Sequence, residues 1–562
     1  MGRNDSKPHP MSPDMFGTGD KLSRCLIGEG RREGVGQQSA PPQRSGGVGV
    51  DGTSASSARE SWENSGGGCP TRPSAQAGPA SEADGAAGEV GVPHSSVDLH
   101  HLKRCKEPRG DTCSTRGGEA KDAGMAGATR IGTPDKVRQL QIALYRKAKA
   151  EPKYRFWSLY GELPRLDMLA RALEAQRRNG GEAGVDGESL ADIHASPQVR
   201  EQWLARLREE LQTKTYRPQP VRRVKIPKSG GGERPLGIPT VKDRVVQTAL
   251  CLRLMPIFEA DFHPRSYGFR PQRRAHQAIA EIQKAVQQGY VEIIDADLSK
   301  YFDTIPHRGL MRVVARRVSD GSVLRLIKSW LRAPVVAEDK DGTRRVIPNR
   351  CGTPQGGVIS PLLANLYLNP LDYGVNETTG GRARMMRYAD DFVIACAPGH
   401  SGGVRKRLQQ WLTAKGLTLN EAKTRIVNIH QTGINFLGFN LTWRKSLRGR
   451  GYLHAQPSQK SRRSLREKLE AILNHWTLWR PIQDAVKEVN QVLRGWAGYF
   501  HFGNSVTVMK RMNDYSQNRL RRWLWRKHGC HRALWKHYPT EHLHTHYGLY
   551  ELPTTAQWKA AR

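Results

Sequence analysis

Apolar positions change their spacing along this chain, and the spacing predicts the elements. Met386 and Tyr388 precede a short polar tip at Asp390-Asp391, and Phe392, Val393 and Ile394 follow it, the pattern of a β-hairpin. Residues 291–298, Val-Glu-Ile-Ile-Asp-Ala-Asp-Leu, predict a strand that ends in acids. Val221 to Pro227 predicts another strand, Lys228 to Arg234 a glycine-rich hairpin tip, and Pro235 to Pro239 the return. Helical spacing begins near Thr133, with Leu140, Ile142, Leu144 and Tyr145. It resumes from Asp243 to Phe258, where Val245, Val246, Ala249, Leu250, Leu252 and Met255 mark a buried side. Gly184-Val185-Asp186-Gly187 predicts a tight turn, and Leu362 to Leu368 an apolar helix behind a Gly/Pro loop. After Gly438 a second helical region is expected. One stripe runs Leu465, Leu469, Ile472, Leu473, and another Ile482, Val486, Val489, Val492, Leu493, Trp496. Met512, Tyr515, Leu520, Trp523 and Leu524 make a third, so a small helical bundle is predicted.

Charge separates this body from what precedes it. Residues 1–130 hold 16 basic and 16 acidic residues, 23 of the 57 glycines and two aromatics, Phe16 and Trp62. A segment so poor in apolar surface is expected to be a disordered leader, with Met125 offering an internal start. The net charge of +36 therefore falls entirely in residues 131–562. A folded body this basic points to a polyanion, nucleic acid before a membrane surface. No apolar run reaches the roughly 18 residues of a spanning helix, and no secretory apolar core opens the chain. Eight cysteines without a CxxC pair suit free thiols in a reducing cytoplasm.

Two adjacent carboxylates in an apolar frame are costly unless a cation neutralises them, and hard oxygens suit Mg²⁺. An Asp-Asp dipeptide alone is more often a solvated turn. Here a third acid, Asp297, stands at the end of the 291–298 strand. Between them Gly352-Thr-Pro-Gln-Gly-Gly357 can bring Gln355 close to a substrate, and Lys228 and Arg234 can grip phosphates. Carboxylates for two metals, a phosphate clamp and a close-approach loop are the equipment of two-metal phosphoryl transfer.

Asp297-Leu-Ser-Lys-Tyr-Phe-Asp303, Gly352–Gly357 and Tyr388-Ala-Asp-Asp391 resemble the polymerase motifs of reverse transcriptases. More narrowly, the chain is similar to the group II intron-encoded reverse transcriptase–maturases. That resemblance rests on Gly184-Val-Asp-Gly187, Arg234-Pro-Leu-Gly-Ile-Pro239, Ser266-Tyr-Gly-Phe-Arg270 and Pro361-Leu-Leu-Ala-Asn-Leu-Tyr-Leu368. Gly416–Thr424 and Phe436-Leu-Gly-Phe439 fit it too, and the likeness covers roughly residues 133–550. It implies a metal site of Asp297, Asp390 and Asp391 and a triphosphate grip by Lys228 and Arg234. It places Gln355 in the nucleotide pocket and Phe302 against the sugar, where a 2′-OH would clash; a plain core aromatic is the other reading of Phe302. Lys423 is implied as proton donor to pyrophosphate, with an ordinary surface lysine as the alternative.

Residues 457–530 carry 15 basic against 5 acidic residues, which leaves Arg462, Arg463, Arg521, Arg522, Arg526 and Lys527 expected on an outer, RNA-binding face. His542, His544 and His546 are expected in a solvated tail, and the paired-Cys ligands of the family's C-terminal HNH endonuclease are not found, so none is inferred. The expected fold is an α+β right-hand polymerase. Its parts are the leader (1–130), an N-terminal extension with fingers (131–290), an antiparallel palm (291–445), a helical thumb or maturase region (446–535) and a basic His-rich tail (536–562). The implied function is RNA-directed DNA synthesis with Mg²⁺ and deoxynucleoside triphosphates on a DNA primer. Intron RNA binding would promote splicing and retrohoming, in a bacterial cytoplasmic ribonucleoprotein. The rivals are a splicing-only maturase and another bacterial class such as a retron enzyme.

Overall fold

The computed structural model describes residues 135–227, 232–338, 343–529 and 533–555. The expectations for residues 1–130 and for Lys228 lie outside them.

Three helices open the described chain: α1 (Asp135–Ala150), α2 (Leu166–Asn179) and α3 (Pro197–Gln212). α2 buries Met168, Leu169, Ala172 and Leu173 at helical spacing. α3 starts where Ser196 Oγ accepts the Val199 N–H at 3.2 Å and Pro197 takes the first turn. The expected turn at Val185-Asp186 is present, and Gly184 lies so close to Thr240 that a Cβ would come within 2.6 Å of its Cα. That contact seats the turn on the start of α4 (Val241–Glu259), whose cap is Thr240. α4 is buried on nearly every side: Val245, Val246, Ala249 and Leu250 fully, Leu252 and Met255 in part.

The strands divide into three sheets. β1 (Val221–Pro227) and β2 (Glu233–Ile238) form the expected hairpin, in register from Arg222↔Ile238 to Pro227↔Glu233. β1 also pairs in parallel with β4 (Val335–Glu338), which pairs with β5 (Arg344–Ile347). β3 (Glu292–Ala296) lies at the centre of the palm sheet, between β7 (Asp391–Cys396) and β8 (Arg425–Asn428), with β6 (Ala383–Tyr388) outside β7. Every pairing in this second sheet is antiparallel. The connecting helices are α5 (Ala275–Gln287), α6 (His307–Ala315), α7 (Gly321–Arg332), α8 (Ser360–Thr378) and α9 (Ser401–Ala414). The predicted apolar helix after Ser360 is thus longer than expected, and buries Leu362, Leu363, Leu366, Leu368 and Leu371.

Residues 434–457 correct the expectation of a helical region directly after Gly438. β9 (Ile434–Phe436), β10 (Phe439–Lys445) and β11 (Gly451–Pro457) form a third antiparallel sheet. Its sequence has period two: Phe439 and Leu441 on β10 and Leu453 and Ala455 on β11 are all buried. The three helices then follow as predicted: α10 (Gln459–Ile472), α11 (Ile482–Phe500) and α12 (Val506–Lys527). They share a core of Leu465, Leu469, Val489, Leu493, Met512 and Leu520. Residues 536–555 do not form a solvated tail, because Tyr538, Leu543, Leu549 and Leu552 are buried in that same core. Each such side chain contributes about 1.5–3 kcal/mol of transfer free energy, enough to hold the segment down. Among the described residues no helix is long and apolar enough to cross a membrane.

Candidate polymerase centre

The β6–β7 hairpin closes with Tyr388 opposite Asp391, leaving Ala389 and Asp390 as a two-residue turn. Ala389 has φ +62°, a left-handed conformation that costs a side-chain-bearing residue roughly 1–2 kcal/mol. Two features hold it there. Arg387, fully buried, donates to Asp372 at 2.8 and 2.5 Å, to Asn365 Oδ1 at 2.8 Å and to the Ala389 carbonyl at 2.9 Å. Burial pulls the Arg387 guanidinium down and Asp372 more than reverses this, so it stays charged. From the other side, Gly268 packs backbone to backbone on the turn: a Cβ there would lie 2.3 Å from Ala389 N.

The Ser266–Arg270 motif therefore has a structural task. Tyr267 N donates to the Arg387 carbonyl at 2.8 Å, and Arg387 N to the Arg265 carbonyl at 3.0 Å, so the motif runs beside β6. Arg270 fixes the loop through Glu259 at 2.7 Å and the carbonyls of His263 and Ser266. Sequence reasoning missed Arg387. Its signal was an arginine inside the otherwise apolar run Met385–Tyr388.

Asp297 follows β3 by one residue. The last β3–β7 pair is Ala296↔Phe392, so the next step sets Asp297 across from Asp391. The three acids thus lie at the same end of the paired strands β3 and β7, Asp391 exposed and Asp297 and Asp390 half-buried. Asn420 donates its N–H to the Asp297 carbonyl at 2.8 Å and its side-chain amide to Oδ2 at 3.1 Å. Lys423 Nζ lies 3.0 Å from the same Oδ2, so its ammonium stands beside a carboxylate expected to bind metal. Among the described residues no three His, Cys, Asp or Glu side chains are already gathered at metal-holding spacing. The donor chemistry nevertheless fits a hard divalent cation: carboxylates at one end of two paired strands, one already bound to a cation.

Gln355 sits in a loop that ties three elements together. Its carbonyl accepts the Gly237 N–H of β2 at 2.6 Å. Its side chain accepts from Arg234 Nε at 2.7 Å and donates to Asp303 Oδ2 at 3.2 Å. Gly356 (φ +116°) lets the loop dock, since a Cβ would meet the Gly237 carbonyl at 2.2 Å. Thr353 N donates to the Phe302 carbonyl at 2.7 Å. Arg234, Gln355, Asp303 and Phe302 are thereby brought together, and Asp303 is a member that sequence reasoning left without a role. Phe302 is 9 % exposed, at the margin of the main core and edge-on to Tyr301 at 5.6 Å.

On the helical region the predicted basic face needs correction at Arg521, which is fully buried. Its guanidinium donates to the Tyr538 carbonyl at 2.6 Å, Asn518 Oδ1 at 2.7 Å and Thr540 Oγ1 at 3.1 Å, and lies 3.9 Å from the Trp535 ring. The segment after residue 533 supplies two of these acceptors and the ring, which the helix pattern alone could not reveal. Lys527 is half-buried and donates to the carbonyls of Leu478 and Arg480 at 2.6 and 3.0 Å. Arg463, Arg522 and Arg526 are exposed as expected, Arg463 3.8 Å from Glu467. Arg462 is half-buried, and burial followed by the charges of Arg466 and Arg511 lowers its pKa. Three guanidiniums that repel one another across α10 and α12 make a patch of positive potential.

A four-stranded antiparallel palm bearing acids at a hairpin tip, a basic β-hairpin above it and a helical region beyond define a right-hand nucleotide polymerase. The reverse transcriptase (RNA-dependent DNA polymerase) family model matches residues 226–441, and that of the group II intron maturase-specific domain matches residues 462–539. The chain belongs to the group II intron-encoded reverse transcriptase–maturases, RNA-directed DNA polymerases that in general use a divalent metal. It is 34 % identical over 376 residues to Protein YkfC of Escherichia coli, covering 60 % of this chain and 96 % of that one. Over 220 residues it is 37 % identical to the group II intron-encoded protein LtrA of Lactococcus lactis, 39 % of this chain and 35 % of LtrA. An uncharacterized 91 kDa protein in the cob intron of Schizosaccharomyces pombe is 26 % identical over 368 residues, 52 % of this chain and 45 % of that protein. The chain thus spans less than half the length of the last two.

Proposed function

We propose that this protein copies its own intron RNA into DNA at the Asp297/Asp390/Asp391 site and, through its helical region, binds that RNA to promote splicing. The observation that supports the reading is placement: Asp297 directly follows β3, Asp390 and Asp391 stand at the start of the strand β7 that pairs with it, and Asp303, six residues after Asp297, is hydrogen-bonded to the Arg234–Gln355 pair. Asp297, Asp390 and Asp391 would hold Mg²⁺, as a two-metal site. Bound there, it supplies a lowered pKa for the primer 3′-OH and charge stabilisation for the departing pyrophosphate.

The chain's own residues do the rest. Arg234 binds the triphosphate and Gln355 orients the nucleotide, each fixed by the other at 2.7 Å. Phe302 lies under the sugar and excludes a 2′-OH. Lys423, 3.0 Å from Asp297, would give a proton to the departing pyrophosphate. The substrates are deoxynucleoside triphosphates and a DNA primer or target, and the working form is a ribonucleoprotein with the intron RNA.

The test uses Asp390→Ala in the full chain. Primer extension on an RNA template should fall by about a hundredfold to a thousandfold, as expected when transition-state charge loses its stabilisation. Intron binding should stay within about twofold, and splicing support should persist. Unchanged extension would remove the palm assignment; equal loss of splicing in the well-folded variant would make the two roles inseparable.

A further inference from the structure

The loop between α10 and α11 presents two tryptophans that the fold does not use. Trp476 and Trp479 are 76 % and 80 % exposed, although an indole offers about 150–250 Å² of surface to bury. The His475 ring lies 4.2 Å from that of Trp476, so three ring systems fall within five residues.

The loop that carries them is held from several sides. Asn474 Oδ1 accepts the Trp476 N–H at 2.8 Å, and Thr477 Oγ1 donates to the Ile472 carbonyl at 2.8 Å while accepting from Trp523 Nε1 at 3.1 Å. Lys527 clasps the Leu478 and Arg480 carbonyls, and Arg480 pairs with Glu488 at 2.8 Å. Trp523 and Lys527, one helical turn apart on α12, thus form the seat of the loop. The neighbouring stripe on α12 is Arg522 and Arg526, both exposed and, among the described residues, without a carboxylate partner. Outward rings on a held loop therefore stand beside a stripe of positive charge on α12.

A polyanion supplies the complement to the arginines, and only a nucleic acid adds flat apolar faces to stack on the rings. In a duplex those faces are already stacked inside, so the occupant must be unpaired. We propose that the 473–481 loop is a stacking platform for unpaired bases of RNA, with Arg522 and Arg526 gripping the adjoining phosphates. This rests on the RNA-binding role proposed for the helical region and deepens it, naming the form of RNA and the residues that take it.

The experiment measures binding of the full chain to fluorescein-labelled oligoadenylate and to a blunt RNA duplex of matched length at several salt concentrations. Trp476→Ala/Trp479→Ala should weaken oligoadenylate binding about tenfold to a hundredfold, since a stacked base loses that order of affinity with its ring. Duplex binding should stay within about twofold, and the salt slope should not move. Phe at both positions should restore most of the affinity. Arg522→Gln/Arg526→Gln should instead lower the salt slope by about 0.7 for each single-strand phosphate no longer neutralised. Both indoles are exposed, so melting temperatures should match wild type. Unchanged oligoadenylate binding by the double alanine variant overturns the platform, as does an equal loss on duplex. A difference in sedimentation between wild type and variant without RNA would assign the rings to a second copy of the chain, and also overturn it. Failure of the wild type to bind either RNA would instead reject the RNA-binding role itself.

Discussion

Gly268→Ala should disable synthesis while leaving the fold in place. A Cβ at this position would lie 2.3 Å from Ala389 N, 2.9 Å from the Tyr388 carbonyl carbon and 3.0 Å from Ala389 Cα. All three are backbone atoms of the turn that carries Asp390. Ordinary contact begins at 3.4 Å, so one chain or the other must retreat by about 1 Å. Arg387 grips the Ala389 carbonyl from beneath, and Asn365 Nδ2 holds the Gly268 carbonyl at 2.6 Å, so neither side can yield freely. A displacement of about 1 Å at a catalytic group costs on the order of 100-fold in rate. Forcing one methyl into a packed site costs about 1–3 kcal/mol of stability, far less than a domain of this size needs to unfold. Steady-state primer extension should therefore show kcat down about 100-fold, with nucleotide KM changed much less because Arg234 and Gln355 are untouched. Melting temperature should fall by a few degrees, and oligoadenylate binding should remain. A well-folded Gly268→Ala protein with kcat within about threefold of wild type would refute the claim that this packing fixes the acids.

Other expectations are more local. Phe302→Val should raise ribonucleotide incorporation relative to deoxynucleotide, measured by competition in single-nucleotide extension; an unchanged ratio with synthesis intact returns the ring to the core. Neutralising Arg462, Arg466 and Arg511 together should reduce the salt dependence of intron binding by about 0.7–0.9 log units for every phosphate left unneutralised, read from binding isotherms. His454 on β11 is 8 % exposed, and burial followed by the charge of Arg444 pulls its pKa down to about 4 from 6.5. The unfolded chain takes up that proton first, so stability falls as pH drops from 6.5 to 4, by up to about 3 kcal/mol. Melts of wild type and His454→Gln at neutral pH and near pH 4.5 should show the smaller acid loss in the variant.

The parts of this molecule legible in its sequence are those whose causes are local. The Asp390-Asp391 hairpin, the strand ending at Asp297 and the stripes of α10 to α12 follow from period and turn chemistry within about ten residues. Arg387 is different. On a strand covered on both faces, alternation carries no information, and its partner Asp372 lies on a preceding helix. Arg521 was misplaced for a similar reason: its acceptors, Tyr538 and Thr540, belong to a segment whose few apolar residues gave no periodic signal. The β10–β11 hairpin was not read, although Phe439, Leu441 and Trp443 alternate along β10, because the helical region was expected to begin directly after Gly438. Lys423 was legible as a lysine near the site, whereas its pairing with Asp297 depends on how the 416–424 turn folds back.

The order of strands in the palm sheet also has a consequence during synthesis on the ribosome. β3 is flanked by β7 and β8, so the segment bearing Asp297 has neither neighbour until about 95 and then 130 further residues have been added. At about 5–20 residues per second that wait lasts roughly 6–26 s. For the first part of it Ile293 and Ile294 have no sheet to enter, and α4 lacks the α8 helix that later packs on it. The nascent protein is therefore most vulnerable to misassociation between the emergence of residues 296 and 428, and slow codons placed far enough past Asn428 for β8 to have left the ribosome would help the palm more than the same codons placed before it.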